Sequence, residues 1–461
     1  MTTNGGTAAG GGPTNAGSAT GGNAAATGGS STSGTGGQPS GAAGSTATGG
    51  TEPRGGTGGA VAAGGASGAT GGTGLPATGG RFSGTGGRAP TGGTGSRGGA
   101  GTGAGGTATG GGGLGTGGAA PGPATLELME SVVFFDGYAS PSDEPVPEGI
   151  VRLDNSVLTT RLSEEQLAVI QSHLELEVTI GALCDNYDRI GSVRLALVPK
   201  GSQGYDPEAV SRIELARFIT PFMDKNKTPD TVPYTWDIDN VSAILTDPQL
   251  RNSYDFWMEL SVFGVPYAAN EEVAGCAGRS DVFRGWLSLS TDSSVEPSQF
   301  DVLLPLACDE PFNDYQAGAS DRIGVTRKTI EFSLENDAQD AQIFLITSNH
   351  GANSGGEEYI RREHFVFIDG EQKLSYRPGR TSCEPFRRYN TQANGIYGPS
   401  PRSDQDWQSF SNWCPGDKID IRVVPCGALA AGAHEFVIDV PDAVFAGDDG
   451  NFPLSLYLQA R

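Results

Sequence analysis

The sequence predicts an all-β protein of sandwich or jelly-roll type, preceded by a long disordered segment rich in glycine and threonine. Three observations predict it. Composition changes sharply near residue 125, short runs of alternating apolar and polar residues follow, and little helical patterning lies among them. The leading segment, 1–124, holds 49 of the 73 glycines in the 461-residue chain, with Thr, Ala and Ser filling most of the rest. Its charges are Glu52, Arg54, Arg81, Arg88 and Arg97, and its one aromatic is Phe82. Such a segment buries too little apolar surface to offset the entropy of ordering it. Recurrent Thr-Gly-Gly units read as a flexible linker. Collagen would need glycine strictly at every third position with abundant proline, and neither holds.

The elements beyond 125 follow from period-two patterning. Residues 174–180 and 193–197 alternate strictly, and Phe256, Met258, Leu260 and Val262 occupy one face of a further run. Later runs lie at 329–334, 342–346, 364–368, 419–424, 435–440 and 454–458. Alternation bounded by turn residues is the signature of half-buried strands. One helix is expected where Ser163-Glu164-Glu165-Gln166 forms a capping box ahead of Leu167, Val169 and Ile170. The length suggests two domains. The polar stretch 288–298, with Pro297, places their division near 295, giving 125–295 and 296–461.

Residues 125–461 carry 52 acidic and 26 basic side chains. That surface argues against nucleic acid and anionic membrane, and it fits an exported protein. Six cysteines lie here without a C-x-x-C spacing: Cys184, Cys276, Cys308, Cys383, Cys414 and Cys426. The even count is compatible with disulfides and an oxidising compartment, and it argues against zinc. Met1-Thr2-Thr3-Asn4-Gly5 shows neither the basic region nor the apolar core of a secretory leader. The Gly/Thr segment suits a tether to the cell envelope. No apolar run is long enough to span a membrane.

Histidine is scarce, and His173, His350, His364 and His434 do not sit at metal-ligand spacing. No nucleophile elbow or phosphate-binding loop appears in 125–461. Three clusters remain. Cys184-Asp185-Asn186-Tyr187-Asp188-Arg189 lies between two strands, where Asp188 beside Arg189 suits a held carboxylate and an Asp/Asn-rich turn is the plainer reading. The stretch 349–364 combines small residues, Glu357, Glu358, Arg361 and Arg362 with His350 and His364. An ordinary long loop with a charged edge would look the same. Asn412-Trp413-Cys414-Pro415-Gly416 suits a disulfide-stapled loop around a buried Trp.

These clusters, in this order, resemble the peptide-N-glycosidase F family. The first resembles the family's C-D-x-W-D-R-Y stretch. Arg217-Phe218-Ile219-Thr220-Pro221-Phe222 is close to a family segment, and Glu358 precedes His364 as the family's essential Glu precedes a His. Trp413-Cys414-Pro415-Gly416 matches its W-C-P-G. The resemblance covers nearly all of 130–461. It implies two tandem jelly-roll sandwiches packed side by side with the site at their interface. It implies hydrolysis of the amide joining a glycan to asparagine, on N-linked glycoproteins or glycopeptides, by a monomer without metal or cofactor. Asp188 would then activate water, Arg189 would keep it ionised, and Glu358 would position water or polarise the substrate. Tyr187 would pack against sugar, with His350, Arg362 and Trp413 also at the substrate. Cys383 would bond Cys414.

The sequence also departs from the family. A further family Glu aligns with Ser261, and Glu259, two residues away on the same strand face, is its expected substitute. Phe410 replaces a family Arg, for which Arg402 is a distant substitute. Gly356 and Ile360 replace cysteines flanking the catalytic Glu, and the pairing of the other cysteines stays open. Two other readings are a non-catalytic relative that binds glycan or protein, and a copper-dependent monooxygenase of similar fold. The latter needs His and Met ligand sets that four scattered histidines do not supply.

Overall fold

The protein is described by a computed structural model covering residues 122–461, apart from 317, 352–356, 393–395, 410–411 and 446–449. The expected disordered segment up to residue 121 therefore lies outside the described residues, as do Phe410 and Gly356. Eighteen strands are described. Those of the first half are β1 (Ala124–Phe135), β2 (Ile150–Arg152), β3 (Val157–Arg161), β4 (His173–Ala182), β5 (Ile190–Pro199), β6 (Ser211–Ile219), β7 (Thr231–Asp237), β8 (Tyr254–Val262) and β9 (Asp281–Asp292). The second half contributes β10 (Val302–Glu310), β11 (Arg327–Leu334), β12 (Ala338–Thr347), β13 (His364–Ile368), β14 (Glu371–Tyr376), β15 (Lys418–Ile419), β16 (Arg422–Leu429), β17 (Gly432–Asp439) and β18 (Leu454–Ala460).

They form four antiparallel sheets, hence two sandwiches. The first sets β1-β9-β4-β7 against a sheet ordered β15-β6-β5-β8-β3-β2. The second sets β10-β18-β12-β16 against β11-β17-β13-β14. Alternation explains the cores. Leu174, Leu176, Val178 and Ile180 from β4 pack against Val193, Leu195, Phe256, Met258 and Leu260. Each fully buried side chain of this kind contributes about 1.5–3 kcal/mol. The expected helix forms as α1 (Glu164–Val169), with Ser163 Oγ accepting from Gln166 N and Gln166 Oε1 accepting from Ser163 N. A second helix, α2 (Asp239–Thr246), is seated beside β4.

The outer face of the first sandwich is not solvated. β5 is buried on both faces, because Ser192, Arg194, Ala196 and Val198 point away from the core yet stay covered. Strands β10, β12 and β18 lie against β6, and a buried ionic network joins the sandwiches. Arg217 donates to Glu214 Oε2 at 2.6 Å, to the Pro453 carbonyl at 2.6 Å and to Ser348 Oγ at 3.1 Å. Arg194 donates to Asp309 at 2.8 Å.

One expected strand is corrected. Residues 419–424 do not form a single strand. The chain breaks at Asp420-Ile421, so that β15 pairs with β6 of the first sandwich while β16 pairs with β12 of the second. The alternation runs through both halves, and their different partners separate them. Two disulfides form, Cys383–Cys414 and Cys184–Cys276, and Cys308 and Cys426 are free thiols. No described helix is long and apolar enough to cross a membrane.

Candidate active site

The loop between β4 and β5 carries the first cluster. Asp185, almost wholly buried, organises it. Its Oδ2 accepts from Arg189 Nε and from Val265 N, each at 2.7 Å, and its Oδ1 accepts from Tyr187 N at 2.9 Å. Thr220, just past β6, adds a second anchor. Its hydroxyl accepts from Arg189 N at 2.7 Å and donates to the Tyr187 carbonyl at 3.1 Å. The bond from Cys184 to Cys276 pins the start of the loop.

This scaffold presents Asp188, whose Oδ2 is buried without a hydrogen-bond partner. Burial, then the charge of Glu358, push its carboxyl up to about 8, against the opposing charge of Arg189. Arg189 forms an ion pair with Asp185, and its charge favours the ionised Asp188, as expected, but is outweighed by burial and by Glu358. A carboxyl removed from water beside a second acid holds its proton.

Glu358 arrives from the second sandwich, on the connection between β12 and β13. It is 6% exposed. Its Oε2 accepts from Gly351 N at 3.2 Å, its N–H donates to the Gly351 carbonyl at 3.2 Å, and its own carbonyl accepts from Asn412 Nδ2 at 2.6 Å. The Tyr359 hydroxyl hydrogen-bonds Glu358, and burial with the charges of Glu358 and Asp188 keeps that phenol protonated. Asp188, Glu358 and Tyr359 thus form one electrostatic cluster across the two sandwiches. Tyr187 lies beside it, its ring 5.7 Å from Phe222 and 5.6 Å from the Arg189 guanidinium.

The other expected residues are placed differently. Glu259 is fully buried, accepting from Tyr205 at 2.9 Å and Arg212 at 3.3 Å, with Arg194 at 3.8 Å. It belongs to the ionic network between the sandwiches. His350 bonds Ser348 Oγ at 2.7 Å, and burial, then Arg217, lower its pKa to about 3, so it is neutral. The Trp413 ring packs with Ile219, Ile346 and Ile419, and its Nε1 donates to the Asn349 carbonyl at 2.9 Å. Arg362 is paired with Glu357 at 2.7 Å. Arg402 lies over the Trp407 ring at 5.4 Å and donates to the Ile396 carbonyl. Among the described residues no group of three or more His, Cys, Asp or Glu could hold a metal ion. Sequence reasoning missed Asp185, Thr220 and Tyr359. All three lie inside or beside the quoted motifs, but nothing in their spacing separates an anchor from a bystander.

Residues 125–277 match the family model for the N-terminal domain of peptide-N-glycosidase F, and residues 320–459 match that for its C-terminal domain. Among solved structures, PNGF-II is similar over 73% of this chain and 65% of its own, at 20% identity and a TM-score of 0.54. The chain therefore spans just under two thirds of PNGF-II. PNGase F, a glycosylasparaginase from Flavobacterium meningosepticum, is similar over 74% of this chain and 96% of its own, at 13% identity and a TM-score of 0.47. No curated protein matches the chain in sequence.

Proposed function

The chain belongs to the peptide-N-glycosidase F family, and from that premise we propose that it hydrolyses the amide joining a glycan to asparagine in N-glycoproteins or glycopeptides. The observation that carries this reading is the electrostatic meeting of Asp188 and Glu358, each supplied by a different sandwich. Asp188, once ionised, takes a proton from water as the water oxygen bonds to the carboxamide carbon. The carbon–nitrogen bond then breaks, and the same proton passes to the departing glycosylamine. Aspartate remains on the peptide, and water is the reagent consumed. Glu358, held by Gly351, Asn412 and Tyr359, positions that water. Tyr187 offers its ring to the sugar. Arg189, His350, Arg362 and Trp413 act from behind as supports of the site, and Glu259 steadies the contact between the sandwiches.

In this reading the two domains divide near 295. The protein works outside the cell or on its surface, where its two disulfides persist. It acts as a monomer, with 1–124 as a tether to the envelope. The test is incubation of the protein with a denatured N-glycoprotein, scored by mass. Glycan loss with conversion of Asn to Asp is expected for the parent chain and not for Asp188→Asn. Absence of release from every N-glycan substrate would sink the proposal and leave a binding role.

A further inference from the structure

A concave site lined by neither Asp188 nor Glu358 lies where α2 of the first sandwich meets β12 and β18 of the second. It has a volume of about 440 Å³, within the range of small-ligand sites. Its walls come from α2, from the 293–301 connection between the sandwiches, and from β12 and β18. Its chemistry is unlike the rest of this acidic chain. Four amide side chains line it: Asn240, Gln299, Gln342 and Gln459. Phe300 and Phe344 supply aromatic surface, and the two charges at the rim, Asp340 and Arg461, pair with each other.

The floor is already organised. Asn240 Nδ2 donates to Gln459 Oε1 at 2.9 Å and to the Tyr457 hydroxyl at 2.8 Å, and Gln459 Nε2 donates back to the Asn240 carbonyl at 3.1 Å. Phe344 and Tyr457 stack beneath, with centroids 4.9 Å apart. The exposed Gln299 and Gln342 stand above this floor with the half-buried Phe300. An amide offers two donors and an acceptor, which suits the paired hydroxyls of a sugar, and an aromatic ring takes its C–H face. An ionic ligand would find no unpaired charge to answer it, and a purely apolar one would desolvate free amides.

We propose that this pocket is a binding site for a neutral oligosaccharide, separate from the Asp188–Glu358 site. Neither Asp188 nor Glu358 lines it, and Gln342 lies five residues, about 17 Å at roughly 3.3 Å per residue, before the end of β12. Binding here does not depend on cleavage at Asp188.

The experiment is calorimetric titration of the full chain carrying Asp188→Asn with a neutral high-mannose oligosaccharide. We expect two saccharides bound per protein. Adding Gln299→Ala, Phe300→Ala and Gln342→Ala reduces this to one. Identical stoichiometry and affinity in the two proteins overturns the pocket. One site falling to none supports the pocket and counts against glycan binding at Asp188, so the two readings fail separately. If the triple variant unfolds early, Gln342→Ala alone replaces it, because that side chain is exposed. At least tenfold weaker binding at the pocket is then expected, and unchanged affinity overturns the inference.

Discussion

At the residue scale the chemistry turns on one proton. Asp188 is pushed up to about 8 by burial and by Glu358. It is therefore mainly protonated at neutral pH, and its ionised form grows as pH rises through that value. If it is the general base, kcat/KM on a glycopeptide should climb between pH 6 and 9, with a midpoint about 8. A flat profile would remove Asp188 from that role. The identity of this carboxyl was legible in the motif, and its protonation was not. An Arg next in sequence suggests a lowered pKa, but the neighbour in space is a second acid from 170 positions further along. Glu259 shows the same limit. Alternation places it on the right face of β8, yet that face meets Arg194 and Arg212 instead of Asp188. Periodicity assigns a face and says nothing of what covers it.

At the element scale the loop from Cys184 to Arg189 is a built object. Asp185 ties three backbone or side-chain donors, and Thr220 ties two groups of the same loop from just past the end of β6. Replacing Asp185 by Ala removes the ion-pair partner of Arg189 and two backbone anchors of the loop. Under the proposed reaction kcat should fall about 100-fold, the scale expected for an ångström of misplacement. KM for a small glycopeptide should change much less, and steady-state kinetics separates the two. Equal loss in kcat and in thermal stability would reduce Asp185 to a structural part. The strands themselves were largely legible, because runs such as 364–368 reproduce β13 residue for residue. The break between β15 and β16 was not, since an unbroken alternating run does not record that its halves answer to different sheets.

At the scale of the whole molecule, stability should depend on pH through buried histidines. His350 and His364 are both lowered to about 3, chiefly by burial. Between that value and the ordinary 6.5 the unfolded chain binds more protons than the folded one, so folding stability rises with pH there and is lost as pH falls. Each histidine contributes at most about 1.4 kcal/mol per pH unit over that window. Denaturant melts at pH 7 and pH 5 should show a clear loss at the lower value, and replacing His364 by Phe, which suits its stack on Tyr376, should shrink it. An unchanged loss would move the acid response elsewhere. The overall double sandwich was legible because strand patterning and length both point to it. The ionic seam was not, because Glu214, Arg217, Arg194 and Asp309 read as ordinary surface charges until the second sandwich covers them.

The pairing of β15 with β6 also bears on how the chain is made. A ribosome completes β6 nearly two hundred residues before Lys418 and Ile419 emerge to lie along it. During that interval the first sandwich carries an open edge with unpaired backbone groups, the form in which sheets recruit strands from other molecules. A gene ending at 295 should therefore yield a product that associates through β6, measurable as concentration-dependent mass in light scattering. A synthetic peptide spanning 412–421, supplied in trans, should restore the monomer.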